Sequence, residues 1–299
     1  MRDAGDGRRE LSGSGAAGAP DREPVGTLTP DAFSRGFFRF FSGSCRRMLA
    51  RSFAEVRAAR GTVPALAELD SHPGPIVVCF THPSWWDPIL GVGLHGKLLP
   101  SRAVLAPMDD DQLARFRFMR KLGIFGIEPD EPASMDAMAR YLRERFTQPP
   151  GGWTLWIAPQ GTFTDPRAPL VVRPGAAAAA ARIARDHGSV RVAAAAFEYA
   201  FWSEKKPEAF VRFAEIETDR PDSTSAWQRA ITRVLGETRD RLSEAVAARD
   251  PGAFEPLLGA ASGSVNPVYD LLLKLRGKGG SIAPRRAGAG GRVRGGDET

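Results

Sequence analysis

Short apolar runs alternate along this chain with longer stretches of helical periodicity. The runs predict strands at 75–80, 102–106, 124–128, 153–158, 190–199 and 208–216. The periodic stretches predict helices at 88–96, 109–121, 132–146, 175–187, 223–248 and 265–275. Ala176 to Ala181, entered from Pro174-Gly175, suits a helix because alanine is the best helix former. Ala193 to Ala196 pulls the same way. The valines before it, and Phe197, Tyr199 and Phe201 after it, favour instead a buried strand with small residues beneath a close neighbour. Strand–helix alternation predicts an α/β domain over 61–275, with a largely parallel central sheet flanked by helices.

Ahead of that domain the pattern changes. Phe33, Phe37, Phe40, Phe41, Met48 and Phe53 recur at helical spacing among Arg35, Arg39, Arg46, Arg47 and Arg51. Ser42-Gly43-Ser44 predicts a break, hence an N-terminal amphipathic helical pair within 30–60. Aromatic rings flanked by guanidiniums suit two roles: lying in a membrane surface with anionic lipids, or packing on the domain. Residues 1–29, and the basic Gly/Arg-rich tail at 276–299, have no periodicity and are expected to be disordered.

Composition narrows the classes. The chain has 299 residues, 42% of them hydrophobic, so a sizeable core is available. A net charge of +6 points to an anionic partner. The tail lacks interleaved aromatics for base stacking, so nucleic acid is not expected. Cys45 and Cys79 have neither disulfide-framework nor zinc spacing, and Cys79 lies in an apolar strand as a buried, inert thiol. No apolar run is long enough to span a bilayer, and no apolar stretch follows the charged start, so secretion is not expected.

Chemistry concentrates where strands end. The run Pro75-Ile-Val-Val-Cys-Phe80 leads into His82-Pro-Ser-Trp-Trp-Asp87. In a continuous helix His82 and Asp87 would point about 140° apart, so they meet only if the segment bends. Pro83 and Pro88 suit a bend into a helix capped by Asp87. The aspartate can then accept from one ring nitrogen and leave the other free to take a proton. The alternative is a packed core histidine. A second apolar strand, from Trp153, ends in Pro159-Gln160-Gly161-Thr162. Ligands collect at the carboxyl ends of strands in open α/β sheets, which makes Gln160, Gly161 and Thr162 candidate binding residues. His72, His95 and His187 are expected to be structural or surface residues.

Together these blocks resemble the glycerolipid (1-acylglycerol-3-phosphate or lysophospholipid) acyltransferases. His82 and Asp87 match the family's His-x4-Asp, and Pro159-Gln160-Gly161-Thr162 aligns with its Pro-Glu-Gly-Thr. Gly123-Ile-Phe-Gly-Ile127 matches part of the second block, and Val190 to Phe197 matches the fourth weakly. Two positions depart: Gln160 stands for the usual glutamate, and Pro129 for an arginine that holds the acceptor's phosphate. Arg167 and Arg173 are candidates to restore that charge, or are ordinary surface arginines. The resemblance implies acyl transfer from acyl-CoA or acyl-ACP to a lipid acceptor hydroxyl, with His82 and Asp87 catalytic. It implies no metal and no cofactor beyond that co-substrate, Trp85 and Trp86 as walls of the site, and a peripheral place on the cytoplasmic face of the membrane. The alternatives are a non-catalytic lipid- or acyl-carrier-binding relative and a thioesterase.

Overall fold

Alternation along each strand sorts the core into two halves. On Ile76–Phe80 (β2), Val77 and Cys79 face one side of the sheet while Ile76 and Val78 face the other. One side is covered by helices Arg35–Ser52 (α1), Thr62–Ser71 (α2) and Trp86–Leu98 (α3). The other is covered by Pro132–Arg145 (α5), Gly175–His187 (α6) and Thr224–Ala248 (α7). This computed structural model describes residues 28–150, 152–202 and 205–259. The expected helix 265–275 and the basic tail lie outside the described residues, as do residues 1–27.

The remaining strands are Glu55–Ala59 (β1), Ala103–Asp109 (β3), Ile124–Ile127 (β4), Trp153–Ile157 (β5), Arg191–Ala200 (β6), Glu208–Ile216 (β7) and Phe254–Gly259 (β8). A short helix, Asp110–Arg115 (α4), and a 3-10 turn, Arg117–Leu122, follow β3. The eight-stranded sheet runs β4-β3-β5-β2-β6-β7-β1-β8. All pairings are parallel except β6–β7 and β1–β8. The largely parallel α/β fold read from the sequence is therefore the one observed. The alanine run at 193–196 is a fully buried strand, with α7 close above it.

Three expectations are corrected. First, α1 is one continuous helix through Ser42-Gly43-Ser44. The small residues are a packing seam: a Cβ on Gly96 of α3 would come within 2.1 Å of Ser42 Oγ, so the two helices approach closely. Second, the sheet begins inside the 30–60 segment, at Glu55. Charged Glu55 and Arg57 hid that strand. Buried Arg57 donates to Glu208 at 2.6 Å and pairs with Glu55 at 2.5 Å, which makes its burial tolerable. Third, Thr29 is not disordered but bridges to Gly126. Beyond it, Asp31 meets Arg145 at 2.8 Å and tethers this entry segment to α5. Short strand β8 and helix α2 were not anticipated.

Candidate active site

Strand register builds the site. β2 lies between β5 and β6, all three parallel, with Cys79 opposite Ile157 and Phe80 opposite Ala195. His82 and Gln160 each stand three residues beyond a register pair, so the two turns emerge side by side at the sheet's carboxyl end. They are joined directly: the backbone N–H of His82 donates to Gln160 Oε1 at 3.1 Å. Only the oxygen of that amide can accept, which fixes its orientation. The loop after Gln160 is held too, with Thr164 N–H donating to the His82 carbonyl at 2.9 Å.

The bend predicted between His82 and Asp87 is present. Helix α3 begins at Trp86, so Asp87 lies in its first turn rather than at its cap. His82 Nδ1 lies 2.8 Å from Asp87 Oδ2. The same oxygen accepts from Ser84 N–H at 2.8 Å, and Oδ1 accepts from the Tyr199 hydroxyl at 2.6 Å. A carboxylate only accepts, so the imidazole carries a hydrogen on Nδ1, and in the neutral ring the lone pair is then on Nε2. The Asp87 side chain is 0% exposed and that of His82 17%, so the imidazole reaches solvent while the carboxylate does not. Burial, then the Asp87 charge, push the Tyr199 phenol far above its ordinary value, so it remains a donor.

Around the pair the walls are aromatic. Exposed Phe163 lies over His82, with ring centroids 4.3 Å apart. Trp85 stacks on Trp86 at 4.6 Å but is 59% exposed, so it forms a rim rather than a closed wall. Trp86 meets Phe53 of the α1 end edge-on at 5.0 Å. Exposed Phe201 stands two residues beyond Tyr199 on its strand and the turn that follows.

The other sequence candidates fall in different places. Gly161 adopts φ +71°, a conformation that favours glycine, and its N–H is committed to Ala158 O at 3.0 Å. It is therefore not a free amide donor. Thr162 is exposed, and its N–H makes no hydrogen bond among the described residues. Arg173 is brought to the turn: its Nε would lie 3.1 Å from a Cβ on Gly161, and its Nη1 pairs with Asp130 at 3.1 Å. Arg167 is not drawn in; it is highly exposed and forks onto Asp165. Cys79 is buried, and burial pushes its thiol up to about 12, an inert group as expected. Tyr199 was not anticipated as part of the site, and neither was Phe163. No local signal ties Tyr199 to a residue 112 positions away; only the β2–β6 register does.

Residues 63–196, which include His82, Asp87 and the Gln160 turn but not Tyr199, match the family model described as Acyltransferase. Over that segment the chain is similar to the acyltransferases. Among solved structures, it is similar to the crystal structure of the 1-acyl-sn-glycerophosphate acyltransferase PlsC from Thermotoga maritima. That similarity has 16% identity and a TM-score of 0.49, covering 72% of this chain and 82% of that one. No curated protein sequence matches the chain significantly. Among the described residues no helix is long and apolar enough to cross a membrane, and no three His, Cys, Asp or Glu side chains gather as metal ligands.

Proposed function

We propose that this protein moves a fatty acyl group from an acyl thioester, on coenzyme A or acyl carrier protein, to a hydroxyl of a lysophospholipid or related lipid. The observation that carries the reading is the threefold acceptance at Asp87, which orients the His82 ring through Nδ1 and leaves Nε2 free for a substrate. His82 Nε2 takes the acceptor's hydroxyl proton as its oxygen attacks the thioester carbonyl. The C–O bond forms, the C–S bond breaks, and the thiolate leaves with the proton returned from His82. Asp87 stabilises the imidazolium in between. Thr162 N–H, unbonded among the described residues in the turn beside His82, is the candidate donor to the developing oxyanion. Arg173, beside the Gln160–Gly161 turn, is the cation best placed for an acceptor phosphate.

Exposed Trp85 and Phe163 rim the site, and exposed Phe40 and Met48 lie on α1. Apolar side chains in these positions support a peripheral place on a membrane surface, where the lipid acceptor resides, and the soluble thioester donors favour its cytoplasmic face. The test is acyl transfer from CoA and carrier-protein thioesters to a lysolipid panel. His82→Ala should lower the rate by about 10²–10⁴-fold while circular dichroism stays unchanged. Undiminished transfer by that variant would remove the mechanism. Fatty acid release that ignores added acceptor would make the protein a thioesterase instead.

A further inference from the structure

Helix α1 carries Arg35, Arg39, Arg46, Arg47 and Arg51 and no acidic residue. Some arginines elsewhere are matched with carboxylates, such as Arg57 with Glu208, Arg145 with Asp31 and Arg191 with Glu215. Among the described residues no ion pair reaches Arg39, Arg46, Arg47, Arg51 or Lys97. Five like charges on one helix repel one another, and an anion bound from outside the chain relieves that repulsion.

Two of these arginines converge. A Cβ on Gly43 would lie 3.8 Å from Arg47 Nη1 and 3.9 Å from Arg46 Nη2, so both guanidiniums flank one bare point on the helix. The aliphatic stem of Arg46 is steered there by close packing over Gly93 of α3, whose Cβ would sit 3.6 Å from Arg46 Cγ. Arg47 is steadied by donating to Ser44 Oγ at 2.9 Å. Together with Lys97, Ala50 and Leu258, these residues line a surface hollow of about 390 Å³ without a single carboxylate. Guanidinium forks match the tetrahedral oxygens of a phosphate group.

We propose that this hollow between α1, α3 and the β8 edge binds a phosphate group, separately from the acyl-transfer site. Phe40 and Met48 are exposed on the same helix, so a lipid headgroup is the source that also gives those apolar side chains a place to insert. This deepens the membrane part of the proposed function and does not depend on the His82 chemistry. A soluble phosphate compound offers the same oxygens, and the experiment separates the two.

The full chain would be sedimented with phosphatidylcholine vesicles and with equimolar phosphatidylcholine–phosphatidylglycerol vesicles. In parallel, its melting temperature would be followed as inorganic phosphate replaces chloride at constant ionic strength. Gly43→Asp places a carboxylate between the two guanidiniums at ordinary contact distances, so it closes the hollow without disturbing the fold. Gly36→Asp adds the same charge to the same helix where a Cβ meets nothing within 4 Å. One added charge costs roughly fivefold in partition through the general surface field alone. Gly43→Asp should lose about tenfold more than Gly36→Asp, and Arg46→Gln with Arg47→Gln should match it. Both should also abolish the phosphate-induced rise in melting temperature, which Gly36→Asp keeps. Equal losses for the two aspartate variants would overturn the proposal, as would no phosphate response in the native chain. A phosphate response without vesicle binding would support the hollow, assign it to a soluble phosphate and discard the membrane reading.

Discussion

Asp87→Asn separates the charge of the carboxylate from its geometry. Three donors converge on it, two on Oδ2 and one on Oδ1. If the asparagine oxygen takes the Oδ2 position, it still accepts from His82 Nδ1–H and Ser84 N–H. Its amide nitrogen then faces Tyr199, whose hydroxyl can turn and accept. The reversed orientation would set two donors against each other at Ser84, so the first is favoured. The variant should therefore fold normally and keep the tautomer while losing the negative charge beside the imidazolium. At about 4 Å, with an effective dielectric near 20, that charge is worth roughly 4 kcal/mol. Because the imidazolium exists only near the transition state, the loss falls on kcat, by about 10³-fold, with KM little changed. The assay is thiol release from an acyl thioester in the presence of acceptor, alongside near-ultraviolet circular dichroism. A variant within tenfold of the native kcat, with native spectra, would refute the electrostatic role of Asp87.

Tyr199→Phe removes one charge-assisted hydrogen bond to the same carboxylate, so it should cost about 1.5–3 kcal/mol of stability in urea and lower kcat without raising KM. Retention of both native values would show that the phenol does not position Asp87. A separate prediction concerns buried His95, whose Nδ1 accepts from Trp156 Nε1–H at 3.1 Å while its Nε2 meets Arg102 O at 3.2 Å. Burial pushes its pKa down from 6.5 to about 4, so it folds neutral. Between those values the unfolded chain binds a proton that the folded chain refuses. Stability should be full above pH 6.5 and fall as pH drops towards 4, by on the order of 3 kcal/mol. Urea midpoints read by tryptophan fluorescence should show this fall, and His95→Gln should flatten it; an equal slope in that variant would rule His95 out.

The order of strands and helices was legible because apolar spacing reports which face each residue turns to the core. That signal failed where charge was buried in pairs. β1 was missed because Arg57 reads as solvent-facing until Glu208, 151 positions away, arrives beside it. The Ser42-Gly43-Ser44 break was predicted because small polar residues interrupt isolated helices. Against Gly96 they instead permit close helix contact, and packing outweighs local preference. His82, Asp87 and Gln160 were readable as candidates because each sits where an apolar run stops.

The chain's linear pattern determined the α/β class, the two turns at strand ends and the residues with the right chemistry. Only the folded sheet decided which of them meet. The β2–β5 register set Gln160 against the His82 backbone, the β2–β6 register brought Tyr199 to Asp87, and the loop after Thr162 laid Phe163 over the imidazole while leaving Arg167 with Asp165. The physical reason is that hydrogen bonds and ring contacts act over a few ångströms of space. Sequence periodicity specifies the face on which a residue lies, but not which distant partner will share it.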